Sequence, residues 1–283
     1  MFSEFKTVFS SVKGSDDFYR FLQVVYHLYP EDKFHLLLRD TTAQLDNDAA
    51  IYQQVQQKLK DIKPFLSELT FALPALRKQK AEMTRQTMQL LGSQTSINGY
   101  LEIGSTGRYY SRLKKNCQIS GPVYLINDTA PDNSPADIME RGQLFKTGQY
   151  LPLNDYAPLT ATDIWNNSVD LVTCYIGLHH APVEKIDGFV QTVADKLRPG
   201  GVFIIRDHDV TSPDMDAFCA LVHTVFNLGT QVPWEVNVRE YRRFQPIEKW
   251  SEYVCGFGFE DSGERLLQQN DPSLNTLIKL VKQ

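Results

Sequence analysis

Over the first ninety or so residues the apolar positions recur at helical spacing. "DDFYRFLQVVYHLYP" sets Phe18, Phe21, Leu22, Val25 and Tyr26 on one face, with Asp16 available as a cap and Pro30 expected to end the helix. "EDKFHLLLRDTTAQL" predicts a second helix, its acids placed in the first turn where the helix dipole favours them. "AAIYQQVQQKLKDI" and "ALRKQKAEMTRQTMQLL" predict two more, and Pro64 and Pro74 punctuate the stretch between them. Residues 1–95 therefore read as an all-helical region, and strand signal is scarce there.

From Asn98 the pattern changes. Short β-rich runs, "GYLEIG", "GPVYLIND", "DLVTCYIGL" and "GVFIIRD", alternate with helical ones. Between the last two, "VEKIDGFVQTVADKLRPGG" puts Val190, Val193 and Leu197 on one face and is expected to stop at Pro199-Gly200-Gly201. Strands alternating with helices mean crossover units and a mostly parallel sheet. "VFIIRD" is apolar throughout, as a strand covered on both faces should be. "WSEYVCGFGFED" predicts a helix and a strand, and "LNTLIKLVKQ" a last strand suited to antiparallel pairing.

Composition narrows the function classes. The formal net charge is −5 and the pI about 5.7, which argues against a general nucleic-acid binder. "LRKQK" and "REYRRF" are the basic stretches, and each reads as a solvated face. Cys117, Cys174, Cys219 and Cys255 are far apart with no CxxC pair, so neither a disulfide framework nor a zinc site is expected. No run has the length of a signal peptide or of a membrane span, so a cytoplasmic protein is expected.

Ligands of an open parallel sheet bind where its strands end. After the first strand comes Glu102-Ile103-Gly104-Ser105-Thr106-Gly107. Gly104 permits a tight turn, and Gly107 lets the next helix start close to a ligand. A dinucleotide enzyme would need G-x-G-x-x-G here. Arg108, Tyr109 and Tyr110 would crowd a pyrophosphate, which disfavours a nicotinamide-dependent dehydrogenase. An acid two residues before the first glycine suits a ligand that carries an ammonium group. Asp128, roughly two dozen positions on at the next strand end, is placed to accept both hydroxyls of a ribose. A turn cap within "NDTAPDN" is the plainer reading of that acid.

The stretch "NNSVDLVTCYIGLHH", followed by "VADKLRPGGVFIIRDHD", resembles the class I S-adenosylmethionine-dependent methyltransferases. The resemblance rests on Ser168, Asp170, Leu171, Val172, Leu178, His179 and His180, then Lys196 to Gly201, and covers roughly residues 95–283. It implies an α/β, Rossmann-like, mostly parallel seven-stranded sheet flanked by helices. Residues 96–283 would be the cofactor-binding domain, with the N-terminal helices as a cap or an interaction surface. The family's first turn usually reads acid-x-Gly-x-Gly-x-Gly, and here the middle glycine is missing. By this resemblance the cofactor is S-adenosylmethionine. Glu102 would set the loop or meet the methionine amine through water. Gly104, Ser105, Thr106 and Gly107 would line the methionine part, Asp128 would take the ribose, and Asp155 and Tyr156 the adenine. Tyr175 completes the cofactor set.

"RDHD" places His208 between Asp207 and Asp209 at a strand end, where acids would orient the ring for work as a base. His208, His179 and Asp207 are thus the catalytic candidates, and helix capping is the plainer role for the acids. The spacing gives no metal-ligand pattern. "VPWEVNVREYRRF" would wall the site, with Trp234, Tyr241 and Phe244 supplying apolar surface and Arg239, Arg242 or Arg243 meeting an acidic substrate group. The expected activity is methyl transfer to oxygen or nitrogen of a small molecule. The alternative is a degenerate, non-catalytic binding or scaffold protein. The N-terminal helices are a candidate surface for a homodimer or a partner protein.

Overall fold

The computed structural model describes residues 3–63 and 73–283, and Pro64 lies outside the described residues. In chain order these form helices α1 (Glu4–Phe9), α2 (Val12–Phe21), α3 (Glu31–Gln44), α4 (Asp48–Ile62) and α5 (Leu73–Leu91), then strand β1 (Ser96–Ile103). There follow α6 (Tyr110–Leu113), β2 (Gln118–Asn127), α7 (Pro135–Arg141), β3 (Gln149–Pro152), β4 (Val169–Cys174), α8 (Val183–Lys196) and β5 (Leu197–His208). The chain ends with α9 (Pro213–Gly229), α10 (Trp234–Asn237), α11 (Ile247–Cys255), β6 (Phe259–Leu267) and β7 (Asn275–Lys282).

Two compact units result. One gathers the helices up to Gln79 with residues 208–244 and 268–275, and the other gathers residues 80–207, 245–267 and 276–283. The helical unit thus extends beyond the N-terminal region, because α9 brings Phe218, Leu221, Val225 and Leu228 into one apolar core with Phe5, Phe18, Phe34, Ile51 and Val55.

Local boundaries in this unit differ from the periodicity. α2 begins at Ser11, whose side chain accepts from Gly14 N, so Asp16 sits inside the helix rather than capping it. The helix also ends before Pro30. A π-turn over Leu22–Tyr26 is followed by His27 at φ 42°, and Pro30 instead precedes α3, where its fixed φ suits a helix entry.

The second unit is a seven-stranded sheet in the order β3-β2-β1-β4-β5-β7-β6, parallel through its first five strands, with β6 and β7 antiparallel at one edge. Both faces are covered. Leu101, Ile103, Val172 and Phe203 pack with Phe189 of α8 and Trp250 of α11. Tyr100, Leu171 and Ile204 pack on the opposite side with Met83 and Leu90 of α5. The Pro199-Gly200-Gly201 stretch does not stop a helix. α8 ends at Lys196 and β5 starts at once, with the register against β4 shifting between Val169 and Leu171 and Gly200 at φ 77°. β1 pairs with β2 on one side and β4 on the other, so chain order reverses there and the carboxyl ends of these strands frame a crevice.

Candidate active site

β1 delivers the chain into a turn that Glu102 organises. Its carboxylate is fully buried and accepts from the Ser105 hydroxyl, from Tyr109 N at 3.1 Å, from Tyr110 N at 2.9 Å and from the Tyr100 hydroxyl at 2.9 Å. Burial raises its pKa, and every one of these donors works against that rise. Of the two roles inferred from the resemblance, setting the loop is the one this bonding serves. Ser105 closes the turn by accepting from Gly107 N (3.2 Å) and Arg108 N (3.0 Å). Gly104 N donates to Ile126 O at 2.7 Å. Gly104 stands at φ 86°, and a Cβ there would overlap the Ile176 side chain, so both backbone and packing require glycine.

A cleft of about 220 Å³ opens beside this turn, lined by Gly104, Ser105, Thr106 and Arg108, by Asn127, Thr129 and Asp132 after β2, and by Asp137 and Glu140 of α7. α7 is fastened to the turn. Thr106 donates to Asp137 at 2.7 Å, and Arg108 pairs with Glu140. Behind that pair, Lys80 of α5 is buried and donates to the Glu140 carbonyl. Burial brings the Lys80 pKa down to about 8, with Glu140 opposing the fall and Arg108 adding to it. Asp137 and Glu140 were not singled out from sequence; their signal was the capped helix start Ser134-Pro135, where Ser134 accepts from Asp137 N at 3.2 Å. Lys80 ends the "LRKQK" stretch expected to be a solvated face, and it is buried instead.

Asp128 is exposed at the end of β2. Burial of part of its surface and the nearby charge of Asp155 raise its pKa. Asp155 also pairs with Lys185 of α8. Asn154, Asp155 and Tyr156 run at φ 49°, 55° and 58°, three consecutive left-handed residues that side chains disfavour. The run turns Tyr156 inward, against Phe189 at 5.2 Å between ring centroids. Its hydroxyl is buried without a hydrogen-bond partner, and burial together with Cys174, Asp128 and Asp207 raises its pKa well above the usual value. Tyr175 points to the other side of the sheet, edge-on to Tyr109 at 4.6 Å with its hydroxyl 2.5 Å from Thr87 of α5.

The catalytic candidates separate. Asp207 turns to the loop after β4, where Oδ2 accepts from Leu178 N at 2.8 Å and Oδ1 lies 2.7 Å from His179 Nδ1. Both side chains are buried. His208, the next residue along an extended strand, faces the opposite way. Its Nδ1 lies 2.7 Å from Ser273 O, and its Nε2 3.2 Å from His223 Nε2. The acid beside His208 in sequence therefore orients His179 in space. In the 232–244 segment, Arg242 donates to Ala220 O, Thr224, Asn237 and Glu240, and Trp234 packs on Tyr52 at 5.2 Å, so both hold the helical unit together.

A family model described as a methyltransferase domain matches residues 101–205. The chain is similar to the N-methyltransferase NodS of Bradyrhizobium japonicum WM9, with 16% identity, 72% of this chain and 96% of that one covered, and a TM-score of 0.45. It is also similar to the 1,6-didemethyltoxoflavin-N1-methyltransferase of Burkholderia thailandensis, solved with 1,6-didemethyltoxoflavin and S-adenosylhomocysteine (14% identity, 84% and 93% covered, TM-score 0.48). Human N-acetylserotonin methyltransferase, solved with S-adenosylmethionine, is a third (12% identity, 91% and 67% covered, TM-score 0.45). No curated protein matches the sequence. Among the described residues no helix is long and apolar enough to cross a membrane.

Proposed function

We propose that the chain, whose residues 101–205 match a methyltransferase domain, is a class I S-adenosylmethionine-dependent methyltransferase that methylates oxygen or nitrogen of a small-molecule acceptor. The observation that carries this reading is positional. The matched span contains the Glu102-pinned turn, the cleft beside it and Asp128 at the next strand end. The chemistry of the residues fits the cofactor. Tyr156 offers a buried hydroxyl with no partner among the described residues, and Asp128 and Asp155 near it can accept from hydroxyl or amino groups. In this reading Asp128 holds the ribose hydroxyls, Asp155 and Tyr156 the adenine, and the 104–107 turn the methionine part. S-adenosylmethionine supplies the methyl group on an activated sulfonium. In-line transfer then asks the protein mainly for positioning and exclusion of water. His179, its ring fixed by Asp207, is the group placed to take a proton from an acceptor hydroxyl or amine. A net charge of −5 favours a small acceptor over a polyanion. A cytoplasmic location belongs to the same reading, supported by four free cysteines.

One observation favours the second reading, a scaffold without catalysis. Arg108 and Thr106 line the cleft and are engaged by Glu140 and Asp137. Calorimetric titration decides between the two. S-adenosylmethionine should bind, Asp128→Ala should weaken it at least about tenfold through loss of charge-assisted hydrogen bonds, and NAD should not bind. Absence of S-adenosylmethionine binding overturns the enzyme reading.

A further inference from the structure

Beneath the turn runs a line of hydroxyl groups that methyl transfer itself does not use. Tyr100 and Glu102 point to the same face of β1, two residues apart, and the register sets Thr173 of β4 directly beside Glu102. The Tyr100 hydroxyl donates to Glu102 Oε2 at 2.9 Å and lies 2.8 Å from Thr173 Oγ1. On the same side of the sheet the Tyr175 hydroxyl lies 2.5 Å from that of Thr87 of α5. None of these five residues is more than 6% exposed.

Counting hydrogens gives the line a direction. An ionised Glu102 only accepts, so Tyr100 commits its single hydroxyl hydrogen to the carboxylate. In its 2.8 Å contact with Tyr100, Thr173 is then the donor. The other donors to Glu102, Ser105 Oγ and Tyr109 N on Oε1 and Tyr110 N on Oε2, all come from the turn itself. Among the described residues, the Tyr100 hydroxyl is the donor that reaches the carboxylate from the sheet, so it refers the carboxylate's rotation to a rigid element.

Resting on the cofactor reading above, we infer that Tyr100 and Thr173 are positioning residues for the cofactor turn. The Thr173 hydroxyl orients the Tyr100 hydroxyl, which locks Glu102 in the rotation that gathers Ser105, Tyr109 and Tyr110 into the turn that receives S-adenosylmethionine.

The test uses full-length protein labelled with ¹⁵N-tyrosine, whose 13 tyrosines give a countable amide spectrum. Tyr109→Phe and Tyr110→Phe assign the two amides that donate to Glu102. Tyr100→Phe should move both amide signals and weaken S-adenosylmethionine binding by calorimetry about thirtyfold. Thr173→Val should act in the same direction by about fivefold, and Thr173→Ser, which keeps the hydroxyl, should stay within about twofold of the parent. If Tyr100→Phe does not fold, the Thr173→Val and Thr173→Ser pair decides. Parent protein that binds while Thr173→Val leaves amides and affinity unchanged overturns the inference and spares the cofactor reading. Equal loss in Thr173→Val and Thr173→Ser also overturns it, since packing rather than the hydroxyl would then be at work. Parent protein that does not bind S-adenosylmethionine overturns both.

Discussion

The two units bury polar groups for different ends. In the helical unit, Tyr29, Tyr52 and Gln56 donate to Gly229 O (2.9 Å), Val232 O (2.7 Å) and Val232 O (3.0 Å), at and just beyond the end of α9. A helix leaves its last carbonyls without partners, and here side chains from the N-terminal helices supply them inside an apolar core. In the sheet unit the buried hydroxyls instead converge on one carboxylate, Glu102, and through it on a turn that faces a cleft. The first arrangement satisfies backbone groups that every helix end presents. The second fixes a single loop, at the expense of burying a charge.

That contrast can be tested from its strongest point downward. Gly104→Ala combines a left-handed backbone with overlap of Ile176, so it should abolish measurable S-adenosylmethionine binding and lower stability in denaturant titration by about 3 kcal/mol. Lys80 follows. Its pKa falls from 10.5 to about 8 by burial, so the unfolded chain holds that proton more tightly than the native one. Between about pH 8 and 10.5 the native protein should therefore gain stability relative to Lys80→Met, and below pH 8 it should lose that advantage. The whole swing should be about 3 kcal/mol, read from paired urea titrations across that window. A flat difference would show that Lys80 is not a costly buried charge behind the Arg108–Glu140 pair.

In the helical unit, a Cβ at Gly229 would collide with the Tyr26 hydroxyl. Gly229→Ala should cost about 1.5 kcal/mol by overpacking and leave cofactor affinity within twofold. Tyr52→Phe deletes the bond to Val232 O and should cost about 1 kcal/mol, again without an effect on affinity. Loss of S-adenosylmethionine binding in either of these two variants would erase the distinction between a stabilising and a site-forming use of buried polar groups.

Much of the sheet was legible in the chain. The apolar runs at 99–103, 123–126, 169–174 and 202–205 all became strands, and α8 follows its apolar spacing. Boundaries were less legible where two residues compete for one role. Ser11 took the cap from Asp16, and the π-turn ended the helix before Pro30 could. The turn's requirement for glycine at 104 was also readable, because a left-handed position constrains a single residue type.

Partnership was not readable. Asp207 and His208 are neighbours in sequence, yet alternation along an extended strand sends one to His179 and the other to Ser273 and His223. Likewise Tyr100 and Thr173, remote in sequence, meet only because β1 and β4 pair in one register. The sequence by itself determined where strands and turns form, because hydrophobic period and backbone sterics act within a few residues. Which carboxylate orients which ring, and which hydroxyls hold Glu102, the tertiary structure alone decided, because hydrogen bonds reach only about 3 Å and strand register sets which groups come within that distance.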